Sequence, residues 1–186
     1  MRVIAGKFGG RKLKSFDEKH IRPTTDRVKE SLFNILNPHI EGARVLDLYS
    51  GTGNLAIEAL SRGAHWVDLV ELNSRSIKII ADNLKMLEIE DQFKINRTDA
   101  VRFVSKYEGE PYDIILIDPP FPLKICSTTL EAIEKNQRLT HDGTIIAIEH
   151  QSNEPLLEKI GTLKQIDIRH YGDKHVSFYK REGGEN

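Results

Sequence analysis

The run Arg44-Val-Leu-Asp-Leu-Tyr-Ser-Gly-Thr-Gly-Asn-Leu-Ala-Ile-Glu-Ala-Leu60 passes from an apolar segment, through a turn of small residues, into a helical pattern. Val45 to Leu48 reads as a buried strand, and Asn54 opens the helix. Gly51 and Gly53 tolerate positive φ and place no Cβ between the backbone N–H groups and an approaching ligand. Asp47 falls near the carboxyl end of the strand, where open α/β sheets hold their ligands. This is a nucleotide-type pocket, and its geometry alone does not choose the ligand.

Gly51-Thr-Gly-Asn-Leu-Ala56 also satisfies the dinucleotide fingerprint G-x-G-x-x-G/A, and Glu71, about 20 residues on, stands where an acid would hold a ribose hydroxyl. The turn is therefore compatible with NAD and with S-adenosylmethionine. Asp47 favours the second, because a carboxylate there repels a pyrophosphate but suits the ammonium of a methionine moiety. A glycine turn can also do no more than seat a helix on a strand, so the rest of the chain has to decide.

At 186 residues the chain has the length of one domain with a useful core. No apolar run has membrane-spanning length, and Met1-Arg-Val-Ile-Ala-Gly-Lys7 lacks a signal-peptide core. Cys126 is the only cysteine, which excludes internal disulfides and thiolate zinc clusters and makes cytoplasm the expected location. The net charge of −1 says nothing of nucleic acid. Its distribution says more, because Arg2, Lys7, Arg11, Lys12, Lys14, Lys19, Arg22, Arg27 and Lys29 crowd the first thirty residues against only four acids. That excess suits either a phosphate-contacting surface or a solvated basic face.

Arg2–Phe8 and Arg11–Phe16 predict a short hairpin about Gly9-Gly10. Thr24, Thr25 and Asp26 after Pro23 offer side-chain oxygens for a helix start. Val28, Leu32, Ile35 and Leu36 recur at helical spacing until Pro38. Residues 1–40 are thus expected as a basic hairpin and helix extension, 41–182 as the main domain and 183–186 as a frayed tail. From Ala43 strands and helices alternate, the pattern of a parallel sheet with crossover helices. Strands are predicted at 44–48, 66–71, 93–97, 114–117 and 143–149, and helices at 54–62, 74–87, 100–107, 124–136 and 154–160. Leu163–His170 and His175–Lys180 then form an antiparallel hairpin about the turn Tyr171-Gly-Asp-Lys174. Five parallel strands closed by a hairpin do not match the second half of a dinucleotide-binding fold. They match an α/β, Rossmann-like class I methyltransferase with a seven-stranded, mostly parallel sheet.

In Tyr112-Asp-Ile-Ile-Leu-Ile-Asp-Pro-Pro-Phe121 an apolar strand runs straight into Asp118. Pro119 and Pro120 donate no backbone hydrogen bond and fix φ, so the chain leaves the sheet as a rigid loop. Asp118, the proline carbonyls and the Phe121 ring suit a planar base with an exocyclic amine: the ring stacks, and the oxygens accept from the NH2. The amine lone pair is conjugated into the base, and acceptors off the base plane favour a pyramidal nitrogen directed at an electrophile.

Asp118-Pro-Pro-Phe121 resembles motif IV of the amino-methyltransferases, and Asp47-Leu-Tyr-Ser-Gly-Thr-Gly53 resembles their motif I. Arg2-Val-Ile-Ala-Gly-Lys-Phe-Gly-Gly-Arg-Lys-Leu13, Arg22-Pro-Thr-Thr-Asp-Arg-Val-Lys-Glu-Ser-Leu-Phe-Asn34, Glu58-Ala-Leu-Ser-Arg-Gly-Ala64 and Glu71-Leu-Asn73 are similar to the bacterial family that methylates N2 of one guanine in 16S ribosomal RNA. The resemblance covers nearly the whole chain. It departs at Phe121, where many relatives carry Tyr; stacking survives that change and a phenolic hydrogen bond does not.

The resemblance implies S-adenosylmethionine as methyl donor, 16S rRNA in the small subunit or its assembly intermediate as substrate, and a monomeric enzyme. It implies that Asp47, Tyr49, Gly51, Thr52, Gly53 and Asn54 line the cofactor turn, that Glu71 accepts from the ribose hydroxyls, and that Asp99 and Ala100 meet the adenine. Asp118, Pro119, Pro120 and Phe121 would hold the guanine. Lys7, Arg11, Lys12 and Lys14 would face RNA, and Arg22, Thr24, Arg27 and Lys29 would face phosphate or support the motif IV loop.

The seven histidines are scattered, without H-E-x-x-H or a comparable ligand run, and no metal is expected. No serine sits in a nucleophile elbow, and Cys126 has no identifiable base partner. Three rival functions stand beside the guanine-N2 assignment. An adenine-N6 methyltransferase uses the same Asp-Pro-Pro-aromatic device, an NAD-dependent oxidoreductase leaves that device idle, and a silent RNA-binding factor leaves the acids idle.

Overall fold

The alternating segments assemble into one eight-stranded sheet, seen in a computed structural model that describes residues 1–16, 26–120 and 125–182. In chain order the elements are α1 (Asp26–Leu36), β1 (Arg44–Leu48), α2 (Asn54–Ser61), β2 (Trp66–Val70), α3 (Ser74–Met86), β3 (Phe93–Asn96), α4 (Ala100–Lys106) and β4 (Tyr112–Ile117), followed by α5 (Cys126–Lys135), β5 (Thr140–Gln151), β6 (Lys159–Ile160), β7 (Leu163–Tyr171) and β8 (Lys174–Arg181). The strand order is β3-β2-β1-β4-β5-β8-β7-β6. The first five pair in parallel, and β8 enters antiparallel between β5 and β7.

The chain reverses its winding direction between β1 and β4, which is where open α/β sheets form their ligand crevice. Leu48 is in register with both Val70 and Ile117, so the residues that follow, Tyr49, Glu71 and Asp118, leave the sheet side by side. Strand alternation sends side chains to two apolar layers. Leu32, Phe33, Leu55, Ile57, Ile80 and Leu84 of α1, α2 and α3 cover one face, together with Val3 and Leu13 of the N-terminal arm. Val104, Leu130 and Ile133 of α4 and α5 cover the other.

Three expectations are corrected. The sheet has eight strands rather than seven, because Lys159 and Ile160 pair with Lys164 and Leu163. The helix expected over 154–160 does not form there. Pro155 cannot donate, and the carbonyls a helix would need are taken by distant donors: Glu154 O meets His150 Nδ1, Leu157 O accepts from Tyr179 Oη, and Glu158 O accepts from Gln165 N. The N-terminal hairpin is shorter than expected: Val3 N to Arg11 O, Gly10 N to Val3 O and Leu13 N to Met1 O cross it about the Arg2–Lys12 bridge, while Ile4 N, Ala5 N and Lys14 N donate to side chains of α2 and α3 instead. His170 and His175 are cross-strand neighbours, with ring centroids 4.2 Å apart. The 183–186 tail and the Pro23–Thr25 helix start lie outside the described residues.

Candidate active site

Asp47 is fully buried at the end of β1. One carboxylate oxygen, Oδ2, accepts from the N–H of Ala56 at 3.1 Å, while Oδ1 has no hydrogen-bond partner among the described residues. Burial pushes the Asp47 pKa well above the ordinary carboxylate range. The Ala56 bond opposes that rise, and the charges of Asp118 and Glu71 reinforce it. An unpartnered buried carboxylate oxygen facing two further acids is suited to a cation.

The turn after Asp47 is held from both sides. Gly51 donates its N–H to Glu71 Oε2 at 2.8 Å, and Asn73 N donates to Glu71 Oε1 at 2.7 Å. Each oxygen keeps further acceptor capacity, which suits a pair of ribose hydroxyls. Gly51 has φ 55°, and a Cβ there would have Tyr49 O, at 3.9 Å, as its only neighbour within 4 Å among the described residues, a cradle that glycine leaves open for a ligand. Thr52, Gly53 and Asn54 are buried where the turn enters α2.

Tyr49 also has positive φ, 65°, a conformation that costs a non-glycine residue about 1–3 kcal/mol. Its hydroxyl hydrogen-bonds with Thr129 Oγ1 of α5 at 2.7 Å, which holds the ring beside the layer containing Ala100. Asp99 is exposed, caps α4 by accepting from Arg102 N at 2.9 Å, and raises the pKa of Tyr49 as a lesser cause after burial. Asp99 and Ala100 follow β3 and Tyr49 follows β1, on the two strands that flank β2 and Glu71.

Asp118 and Pro119 are half-buried and Pro120 is exposed directly after β4; Phe121 lies outside the described residues. Asp118 acts electrostatically on Asp47 and on the buried Cys126 thiol, which puts it between the cofactor turn and the start of α5. Cys126 is pushed far up in pKa, mainly by burial, and so stays protonated.

Of the basic residues, Lys7, Arg11, Lys12, Lys14 and Arg27 are exposed, Lys14 with an ion pair to Asp82 at 3.0 Å; Arg22 and Thr24 lie outside the described residues. Lys29 is a correction. It is fully buried, its ammonium donates to Arg2 O and to Asn54 Oδ1 at 2.8 Å, and it pairs with Glu58 at 3.1 Å, so it reaches no RNA phosphate. Burial lowers its pKa, opposed first by Glu58. The signal lay in the helical register, because Lys29 shares the apolar face of α1 with Leu32, Phe33 and Leu36. Glu58 and Asn83, both fully buried, were singled out by no motif role, though both lie on buried faces of their helices.

A sheet of this order, a glycine turn after β1, acids at the ends of β1, β2 and β4, and a closing antiparallel hairpin define a class I S-adenosylmethionine-dependent methyltransferase. Within that class, the chain belongs to the family described as conserved hypothetical protein 95, whose profile matches residues 1–180. It is 39% identical to YlbH of Bacillus subtilis across 98% of this chain and 100% of that one. It is 37% identical to ribosomal RNA small subunit methyltransferase D of Escherichia coli, over 81% of this chain and 75% of that protein. The solved structure of yhhF from Escherichia coli superposes with a TM-score of 0.87 at 31% identity, covering 98% of each chain.

Proposed function

We propose that this enzyme methylates the exocyclic N2 amine of one guanine in the 16S rRNA of the small ribosomal subunit, with S-adenosylmethionine as donor. The observation that carries the proposal is the convergence of Asp47, Glu71 and Asp118 at the carboxyl ends of three adjacent parallel strands, with the stiff Pro119-Pro120 segment continuing from the third. Similarity to a protein named ribosomal RNA small subunit methyltransferase D supports small-subunit rRNA as the substrate over DNA.

The residues fit the donor. The orphaned Asp47 Oδ1 would take the methionine ammonium, the open cradle at Gly51 admits its close approach, Glu71 would accept from the ribose and Asp99 from the adenine amine. S-adenosylmethionine supplies an activated sulfonium methyl, whose transfer needs mainly proximity and in-line alignment. Asp118 and a proline carbonyl would accept from the guanine amine, hold its nitrogen pyramidal and direct its lone pair inward; Phe121, outside the described residues, would supply an aromatic ring for the base to stack on. Asp118, or water afterwards, takes the amine proton. A base that enters so rigid a loop must be flipped or already unstacked.

The exposed Lys7, Arg11, Lys12, Lys14 and Arg27 would track RNA phosphate as the protein, a cytoplasmic monomer, engages the assembled or partly assembled subunit. No helix among the described residues is long and apolar enough to cross a membrane. Nucleoside mapping of 16S rRNA from cells with and without the gene tests the proposal. Loss of one N2-methylguanosine is expected, and an unchanged map contradicts it.

A further inference from the structure

Two buried side chains bridge the cofactor turn and the basic N-terminal arm. Asn83 of α3 is fully buried and clips Lys14 by its backbone: Oδ1 accepts from Lys14 N at 2.8 Å, and Nδ2 donates to Lys14 O at 3.1 Å. The same Nδ2 donates to the carbonyl of Thr52, in the glycine turn, at 3.1 Å. Lys29 repeats the arrangement from α1, with its ammonium shared between Arg2 O in the arm, Asn54 Oδ1 at the end of the turn, and Glu58. Glu58 in turn accepts from Ile4 N at 2.7 Å, Ala5 N at 3.1 Å and Arg62 Nε at 2.8 Å.

The arm is seated closely between these clips. Ser61 O accepts from Lys7 N at 2.7 Å and Ser61 Oγ from Phe8 N at 2.9 Å, and a Cβ on Gly6 would lie 1.8 Å from Ser61 O. Val3 and Leu13 are buried in the same apolar layer as α2 and α3. With so many buried donors and acceptors satisfied only across the boundary between arm and turn, one part cannot open without stranding polar groups of the other.

We infer that Asn83 and Lys29 are positioning residues that make the cofactor turn and the RNA-facing arm one cooperative unit, so that filling the crevice orders the arm and each ligand strengthens the binding of the other. The inference rests on the proposed function, because it needs the crevice to bind the methyl donor and the arm to meet RNA. Ordering of one site before the second ligand arrives removes part of the cost of binding that ligand, and the coupling is reciprocal.

Hydrogen exchange of the intact protein tests this, with S-adenosylhomocysteine as the unreactive probe. Protection of the turn, residues 49–56, reports that the probe binds; protection of the arm amides of Ile4, Ala5, Lys7 and Lys14 reports the coupling. The expected result is protection of both, with arm exchange slowed at least about fivefold. A protected turn with an unchanged arm overturns the inference and leaves the function standing, whereas no protection anywhere overturns both. In Asn83→Leu the probe should still protect the turn while protection of the Lys14 amide is lost. RNA affinity in that variant should no longer rise when S-adenosylhomocysteine is added. A folded Asn83→Leu protein that keeps the full wild-type enhancement contradicts the role given to Asn83, and the wild-type exchange result stands independently of whether the variant folds.

Discussion

Gly51 and Glu71 lie 20 residues apart in sequence, yet the Gly51 N–H donates to the Glu71 carboxylate at 2.8 Å. The bond ties the turn after β1 to the end of β2 and aims the carboxylate at the crevice between them. Glu71→Ala should weaken S-adenosylmethionine binding by about 1–3 kcal/mol, the usual cost of losing charged hydrogen bonds. Calorimetry of the purified variant checks this; an unchanged Kd would mean that Glu71 serves only the turn.

Asp47 carries an opposite pair of effects. Its folded-state pKa is raised, so the folded chain holds a proton that the unfolded chain releases near the ordinary value of about 3.9. Its contribution to stability is therefore fully present below that value and is lost as pH rises through the folded one. Asp47→Asn should match the wild type in melting temperature near pH 3 and exceed it at pH 7, while binding the cofactor more weakly. Thermal melts at the two pH values, without cofactor, decide it; a variant that melts lower at pH 7 would show that Asp47 is stably ionised in the fold.

The proposed role of Asp118 is to hold the base rather than the donor. Asp118→Ala should lower methyl transfer by about 10²-fold or more while leaving cofactor affinity nearly unchanged. Rates measured beside calorimetry separate the two effects, and equal losses in both would make the loop a structural support of the crevice.

The exposed arm should behave as an electrostatic surface for RNA. Charge reversal at Arg11, Lys12 and Lys14 should weaken RNA binding and flatten its dependence on salt, by about 0.7–0.9 in logarithmic slope for each phosphate that is no longer neutralised. Titrations at several salt concentrations measure this. An unaltered slope would remove the arm from the interface.

Much of the architecture was legible because parallel sheets leave a strong trace: β1 spans Arg44–Leu48, the bounds expected from the apolar run that starts at Val45, and the other parallel strands were found to within a few residues at their ends. What failed was decided by distant partners. Leu156, Leu157 and Ile160 carry helical spacing, yet the surrounding carbonyls are claimed by His150, Tyr179 and Gln165, so the segment forms no helix and ends in the short strand β6. The basic count of the first thirty residues included Lys29, whose charge is neutralised in the interior by Glu58. Charge totals do not distinguish an ammonium in solvent from one in a core, whereas the register of α1 does. Asp47 near the end of β1, Glu71 after β2 and Asp118 after β4 were readable because each stands at the carboxyl end of an apolar strand; that Asp47 keeps one oxygen without a partner among the described residues needed three dimensions.

The most direct measurement is transfer itself. Small ribosomal subunits from cells lacking the gene would be incubated with the purified protein and labelled S-adenosylmethionine, and the rRNA digested to nucleosides. The expected label is N2-methylguanosine alone, from a single position in 16S rRNA, and absent with Asp118→Ala. Label in N6-methyladenosine, or no label with folded protein and intact subunits, would contradict the assignment.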